Sequence, residues 1–268
     1  MSDVWGESLP ILYGRSVATG ELVHVDDAPN GKACGCVCPD PGCGQPLVAR
    51  NNGKKKIHHF AHIGGTCAWS AEYLLAELAL EVIRERGRVW FPELAYEALG
   101  THLPEKVSEG MELPVCCAEK IEVEGRKAPA IALGIRTSRG NARYVFVPEL
   151  VHVLDGEQIA SLRKECRGIV RIGLRSLMRS MKTLEGKHYD REELAVRIQS
   201  KEVMEELLSG RRQRHLEWAW NAKAKELGDR AWALYAQRKK EERQKADAEK
   251  ERKAVIDQAR REKVRLAA

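Results

Sequence analysis

The chain has 268 residues, 43% hydrophobic, 31% charged and only 6% aromatic, which allows one large domain or two to three small ones with part of the chain outside any core. No run approaches the ~20 apolar residues of a membrane helix, since the most apolar stretch, 74–83, is broken by Glu77 and Glu81. The formal charge of +6 is concentrated in the tail, where twelve Lys/Arg face seven Asp/Glu from Arg238 onward and so account for +5 of it; overall basicity is therefore weak support for nucleic acid. The first ten residues lack a basic start followed by an apolar run, so the expected compartment is the cytoplasm and no membrane partner is expected.

Three segments of different texture follow one another. Residues 1–68 are rich in Gly, Pro and Cys and predict a small β unit. Ile11-Leu12-Tyr13 and Leu22-Val23-His24-Val25 flank Ala18-Thr19-Gly20 as one hairpin. Pro46 to Arg50 and Ile57 to Phe60 form a second, joined across Asn51-Asn52-Gly53-Lys54, where Asn-Gly favours a tight turn.

Residues 69–186 mix two periods. A helix is predicted from a Ser70 cap to Arg86, with Leu74, Leu75, Leu78, Val82 and Ile83 on one face and Gly87 as its stop. Strands are predicted at 120–123, 130–135 and 143–147, then a helix at 156–166 and a strand at 168–174, an α/β pattern. From Glu192 the reading is helical throughout, residues 187–268 forming a C-terminal extension. Leu216, Trp220, Leu227, Ala231 and Leu234 recur at helical spacing, with Trp218, Trp232 and Tyr235 on a neighbouring face. The last 30 residues are charged all round with no sustained heptad. Such a segment is a solvated helix, open to coiled-coil pairing, or is partly disordered.

Of eight cysteines, five fall within 34 residues, beside three histidines. In a reducing compartment this clustering points to metal or plain burial rather than disulfides. Cys38-Pro-Asp-Pro-Gly-Cys43-Gly44, followed after a β turn by His59-Phe60-Ala61-His62, supplies two closely spaced ligand pairs, the arrangement that tetrahedral zinc requires. The expected structural zinc ligands are Cys38, Cys43, His59 and His62. Cys34 and Cys36 lie close enough to replace Cys38, Cys67 lies just past the histidines, and His58 can replace His59. A module this small buries little apolar area, so the metal is expected to hold it together.

The hairpin, the Cys-Pro…Cys-Gly knuckle, the basic turn, His-Phe-Ala-His and the Ser70-Ala71-Glu72-Tyr73-Leu74 helix start resemble the competence protein CoiA family of DNA-uptake and recombination-associated predicted nucleases. The match covers residues 10–85 and continues more weakly to 175. The resemblance implies a β-hairpin zinc-binding module at 1–68 and a degenerate, restriction-endonuclease-like α/β domain at 69–186; with the long helical, charged extension read at 187–268, the expected chain is α+β in three parts. Such a nuclease needs acids at adjacent strand ends to hold Mg²⁺ and a Lys or Gln to orient water. Arg126-Lys-Ala-Pro129-Ala130 resembles the family's first such strand, with Ala130 at the aspartate position. Tyr144-Val-Phe-Val147-Pro-Glu149 resembles the next, with Val147 at the glutamate position and Glu149 where lysine or glutamine belongs. The expectation is a degenerate nuclease with no catalytic residues. A two-residue shift in register would bring in Glu149, and Glu122, Glu124 and Glu72 offer a displaced acidic cluster. Only those readings call for magnesium.

Arg50, Lys54, Lys55 and Lys56 surround the turn of the zinc module and form the candidate nucleic-acid-binding patch. Basic runs at 211–215 and 260–265 read as charged helix faces, and Trp218, Trp220 and Trp232 as packing residues. The leading expectation is a bacterial, phage or mobile-element protein that binds DNA or a DNA-processing partner without cutting. The alternatives are a divergent Mg²⁺-dependent nuclease, and an interaction protein of a defence or counter-defence system that self-associates or recruits a partner through its C-terminal helices.

Overall fold

A computed structural model describes residues 10–54, 56–65, 67, 70–97, 104–138, 140–150, 152–181 and 191–266. The chain is mixed α+β and divides into two compact units, residues 1–94 with 109–222, and residues 95–108 with 223–268.

The first unit begins with β1 (Tyr13–Ser16) and β2 (Leu22–His24), the predicted first hairpin, with β3 (Cys36–Val37) on the other side of β1. β1 and β3 pack tightly because residue 14 is glycine. A Cβ there would stand 2.8 Å from that of Cys36. β4 (Leu47–Arg50) and β5 (His59–His62) form the second predicted hairpin, registering Leu47 with His62 and Arg50 with His59. Alternation along β4 sends Leu47 and Ala49 inward, where they join Phe60, Cys34, Cys36 and Cys38 in a small core.

Helix α1 (Ser70–Arg86) ends at Gly87, whose φ of 61° releases the chain into β6 (Arg88–Phe91). It lies on a six-stranded sheet of order β13-β12-β11-β10-β9-β6, built from β9 (Met111–Val123), β10 (Arg126–Thr137), β11 (Gly140–Glu149), β12 (Gly168–Gly173) and β13 (Leu216–Asn221). All pairs are antiparallel except β11 with β12, whose parallel run needs the crossover that α2 (Gly156–Leu162) supplies. Asp155 caps α2 in a reciprocal capping box with Gln158. Leu75, Ala79, Ile83, Leu133, Phe146 and Val170 form the main core, closed by α3 (Leu174–Met181), α4 (Arg191–Ile198) and α5 (Lys201–Leu208).

The extension predicted from residue 187 therefore does not separate from the sheet. α4, α5 and β13 belong to the first unit. The predicted helical reading of 216–221 is corrected to a strand, β13. Period 3.6 and period 2 both place Leu216 and Trp220 among apolar neighbours over so short a run. Pairing with the otherwise open edge of β12 decides between them. Trp218 then stacks near Phe91 and Tyr144, with centroids 5.9 and 6.2 Å away, and its indole N–H donates to the Pro92 carbonyl at 3.1 Å.

The second unit contains most of the two-stranded β7 (Leu94–Glu97) and β8 (Pro104–Ser108), and the long helix α6 (Ala222–Leu266). α6 is solvated along its described side chains and laced with local pairs such as Lys225–Asp229 at 2.7 Å and Arg230–Glu226 at 2.6 Å. No helix among the described residues is long and apolar enough to cross a membrane.

Candidate functional site

Three thiols and one imidazole converge where β3, the following loop and the end of β5 meet. The ligand atoms of Cys38, Cys43, His62 and Cys67 all lie within 4.8 Å of one another. The loop between the first two is shaped by Asp40. Its Oδ1 accepts from the Gly42 N–H at 2.9 Å, and its carbonyl accepts from the N–H groups of Cys43 and Gly44 at 3.0 and 2.9 Å. Gly44 takes φ of 54°, the left-handed conformation that lets the knuckle turn back after Cys43. The Cys38 N–H donates to the Gln45 carbonyl at 2.8 Å and closes the loop.

Two observations test whether a metal fits this donor set. The Nε2 of His62 is buried with no hydrogen-bond partner, an arrangement that costs free energy unless a ligand supplies the missing contact. Burial pushes the Cys38 thiol well above its ordinary pKa, and the neighbouring Cys67 and Cys43 thiols push the same way. A divalent cation reverses that balance by stabilising thiolates. These four residues, three sulfurs and one nitrogen, could hold a metal ion, and the donor types are those of a structural zinc site.

Of the expected ligands, Cys38, Cys43 and His62 come together; His59 does not join them. His59 sits three residues back on β5, registered with Arg50, and its Nδ1 lies 2.9 Å from the Ile57 carbonyl. The fourth position in the cluster belongs to Cys67, whose thiol donates to Asp40 Oδ2 at 3.3 Å. The signal for it was in the spacing, because Cys38-x₄-Cys43 and His62-x₄-Cys67 repeat one interval. Cys34 and Cys36 are core residues, their thiols donating to the Leu47 and Cys34 carbonyls at 3.2 Å each. His58 turns the other way, towards Asp26.

That histidine lines an open cleft of about 740 Å³ between the β4–β5 turn and α4. Lys54, Lys56, His24, His58 and Arg197 line it, against the acids Asp26 and Glu193. Asp26 Oδ1 lies 2.5 Å from His58 Nδ1, while the Gly53 carbonyl lies 3.0 Å from its Nε2. The hydrogen bond to Asp26 is the main reason the His58 pKa is raised, and the Asp26 carboxylate offsets the charge of the protonated ring, so the net positive charge of the cleft rests on its lysines and arginine. Of the predicted basic patch, Lys54 and Lys56 line the cleft and Arg50 is exposed at the end of β4 without lining it. Lys55 lies outside the described residues.

The positions compared with nuclease acids sit in an apolar setting. Ile131 registers with Phe146, which places Ala130 and Val147 one step further along β10 and β11. Both are fully buried, packed with Val123, Val145, Leu154 and Ile169. Two of the acids that the shifted readings call on, Glu72 and Glu149, are themselves buried. Glu72 Oε1 accepts from the N–H groups of Leu150 and His152 at 3.2 and 2.9 Å, and its Oε2 lies 2.9 Å from His152 Nδ1. Glu149 Oε1 accepts from the Leu154 N–H at 2.8 Å and lies 3.3 Å from Arg171 Nε.

The positive charge beside these acids comes from the protein itself. The Arg126 guanidinium, 1% exposed, lies 4.0 Å from Glu72 Oε2, donates to the His152 carbonyl at 2.7 Å and feels Glu149 as well. Burial is the main reason its pKa is lowered, and the two glutamates oppose that shift. Burial likewise raises the Glu149 pKa, against the pull of the Leu154 N–H and the two arginines. Sequence reading placed Arg126 only as the head of a strand. No local pattern marks it as the counter-ion of residues 54 positions before and 23 after it.

None of the family models, curated proteins or solved structures compared with this chain matches it.

Proposed function

We propose that this is a CoiA-like protein in which a structural zinc knuckle presents a basic cleft to the phosphate backbone of a nucleic acid, and that it grips the strand without cutting it. The observation that carries the reading is the cleft, where two lysines of the β4–β5 turn and an arginine of α4 line one space of about 740 Å³. Each phosphate neutralised there releases counter-ions, so binding weakens steeply with salt. A sulfur-rich tetrahedral donor set favours zinc over harder cations. Absence of cleavage is supported by Arg126, which stands among Glu72 and Glu149 and supplies the charge that a Mg²⁺ ion would otherwise supply.

The test is a binding titration of the zinc-loaded protein with duplex and single-stranded DNA and with RNA, at two salt concentrations and with Mg²⁺ or Mn²⁺ present. Binding that falls with salt and is lost in Lys54→Glu/Lys56→Glu, with every substrate intact, is the expected result. Metal-dependent cleavage abolished by Glu149→Ala instead establishes the nuclease alternative.

A second reading draws on α6. Trp232 and Leu234 are 52% and 58% exposed there, and Trp232 stacks on Tyr235 with centroids 5.9 Å apart. Exposed aromatic side chains of this kind favour a protein partner or self-association through the helix. No nucleic-acid binding at low salt, together with a dimer in light scattering that is lost in Trp232→Ala, establishes that reading.

A further inference from the structure

Two exposed cysteines outside the knuckle, Cys116 and Cys117, remain unassigned. β9 pairs with β6 only over residues 111–114, and beyond that its neighbour is β10. There the register slips. Gly134 pairs with Cys117, but Ile135 pairs with Val115, so Cys116 is an extra residue in a β-bulge. A bulge breaks the strict alternation of faces and lets two adjacent side chains project on the same side.

Gly134 shows that they do. A Cβ placed on it would stand 2.5 Å from the Cys117 Sγ and 3.0 Å from the Cys116 Sγ, so both sulfurs crowd one point above the backbone of β10. The Cys116 thiol donates to the Gly134 carbonyl at 3.1 Å. Leu133 and Ile135, on either side of Gly134, point into the core with α1, so the sulfurs occupy the opposite face of the sheet. Both cysteines are exposed, unlike Cys34, Cys36, Cys38 and Cys166, which are buried.

Adjacent, exposed, co-facing thiols are a bidentate soft ligand. We propose that Cys116 and Cys117 form a surface dithiol that chelates thiophilic ions, typified by trivalent arsenic, at a site separate from the zinc knuckle. With an organic arsenoxide, two As–S bonds form as the As–O bonds break, and the two thiol protons leave with the oxygen as one water. Arsenic stays trivalent throughout, and no oxidant is required. Gly134 makes room for the chelate, since any side chain there pushes the sulfurs aside.

The experiment is titration of the full-length, zinc-loaded protein with phenylarsine oxide in excess monothiol, followed by native mass spectrometry and zinc analysis. One arsenical per chain with zinc retained is expected, since a chelate resists monothiol exchange whereas a single As–S bond does not. Cys116→Ser and Cys117→Ser should each weaken uptake on the order of a hundredfold, the gain that a second tethered contact provides. Gly134→Ala should weaken it as well. No uptake by the unsubstituted protein, uptake only with expulsion of zinc, or undiminished uptake by either serine variant overturns the proposal.

Discussion

His215 shows how burial at a single residue sets a pH dependence. Its ring is 4% exposed, with Nδ1 2.8 Å from the Ser176 hydroxyl and Nε2 3.2 Å from that of Ser180. Burial, helped by Arg214 and Arg212, pulls its pKa from 6.5 down to about 4. The folded state therefore binds this proton more weakly than the unfolded chain. The stability held by the neutral ring is complete above pH 6.5 and is lost as the pH falls towards about 4. The loss should approach about 3 kcal/mol, and His215→Gln should flatten that part of a urea-midpoint series taken from pH 7 to 4. Arg126 makes a different prediction. Arg126→Ala removes the buried guanidinium that lies 4.0 Å from Glu72 and donates to the His152 carbonyl. Removing one partner of a buried pair costs about 3–5 kcal/mol, measurable in urea unfolding at neutral pH.

Among the elements, the β4–β5 hairpin does two jobs with one strand pair. Its end at His62 faces the metal cluster, and its turn carries Lys54 and Lys56 into the cleft. A metal held by Cys38, Cys43, His62 and Cys67 would thus fix the element that presents the basic residues. Cys67→Ala should abolish stoichiometric zinc binding, whereas His59→Ala should keep one zinc per chain, both read by elemental analysis of the purified protein. Should the cleft be the nucleic-acid site, removing the metal should lower salt-sensitive affinity as well, because the turn then loses its anchor. The β13 edge carries a second lesson. Six residues with aromatics at alternate positions suit a strand as well as a helix, and only the open side of β12 selects the strand.

For the whole molecule, the two units carry unequal shares of the charge. Ending the chain at residue 237 removes +5 of the +6 formal charge, all of it from the extended helix α6. Should the cleft be the nucleic-acid site, this truncation leaves most of the affinity in place while Lys54→Glu/Lys56→Glu removes it. The unfolding free energy of the first unit should stay within about 0.5 kcal/mol of its value in the full chain, because among the described residues its core clusters contain none from 238 onward. Circular dichroism should report the lost helix.

Local chemistry made much of this legible beforehand. The α1 face ending at Gly87, the Asn-Gly-containing turn between the two hairpin strands, and three of the four residues of the candidate metal cluster follow from spacing and residue type alone. The choice of Cys67 over His59 was not settled by sequence, because ligand identity depends on which atoms fold onto one point, and His59 leaves that point by the strand geometry of β5. Arg126 between Glu72 and Glu149, Arg197 across from Lys54, and the shared facing of Cys116 and Cys117 arise from pairing between segments far apart in the chain. The sequence by itself determined where turns, helices and soft ligands are possible, since those depend on neighbours a few residues away. Only the tertiary structure decided which distant charges neutralise one another and which side chains share a face, because register and burial are properties of the assembled sheet.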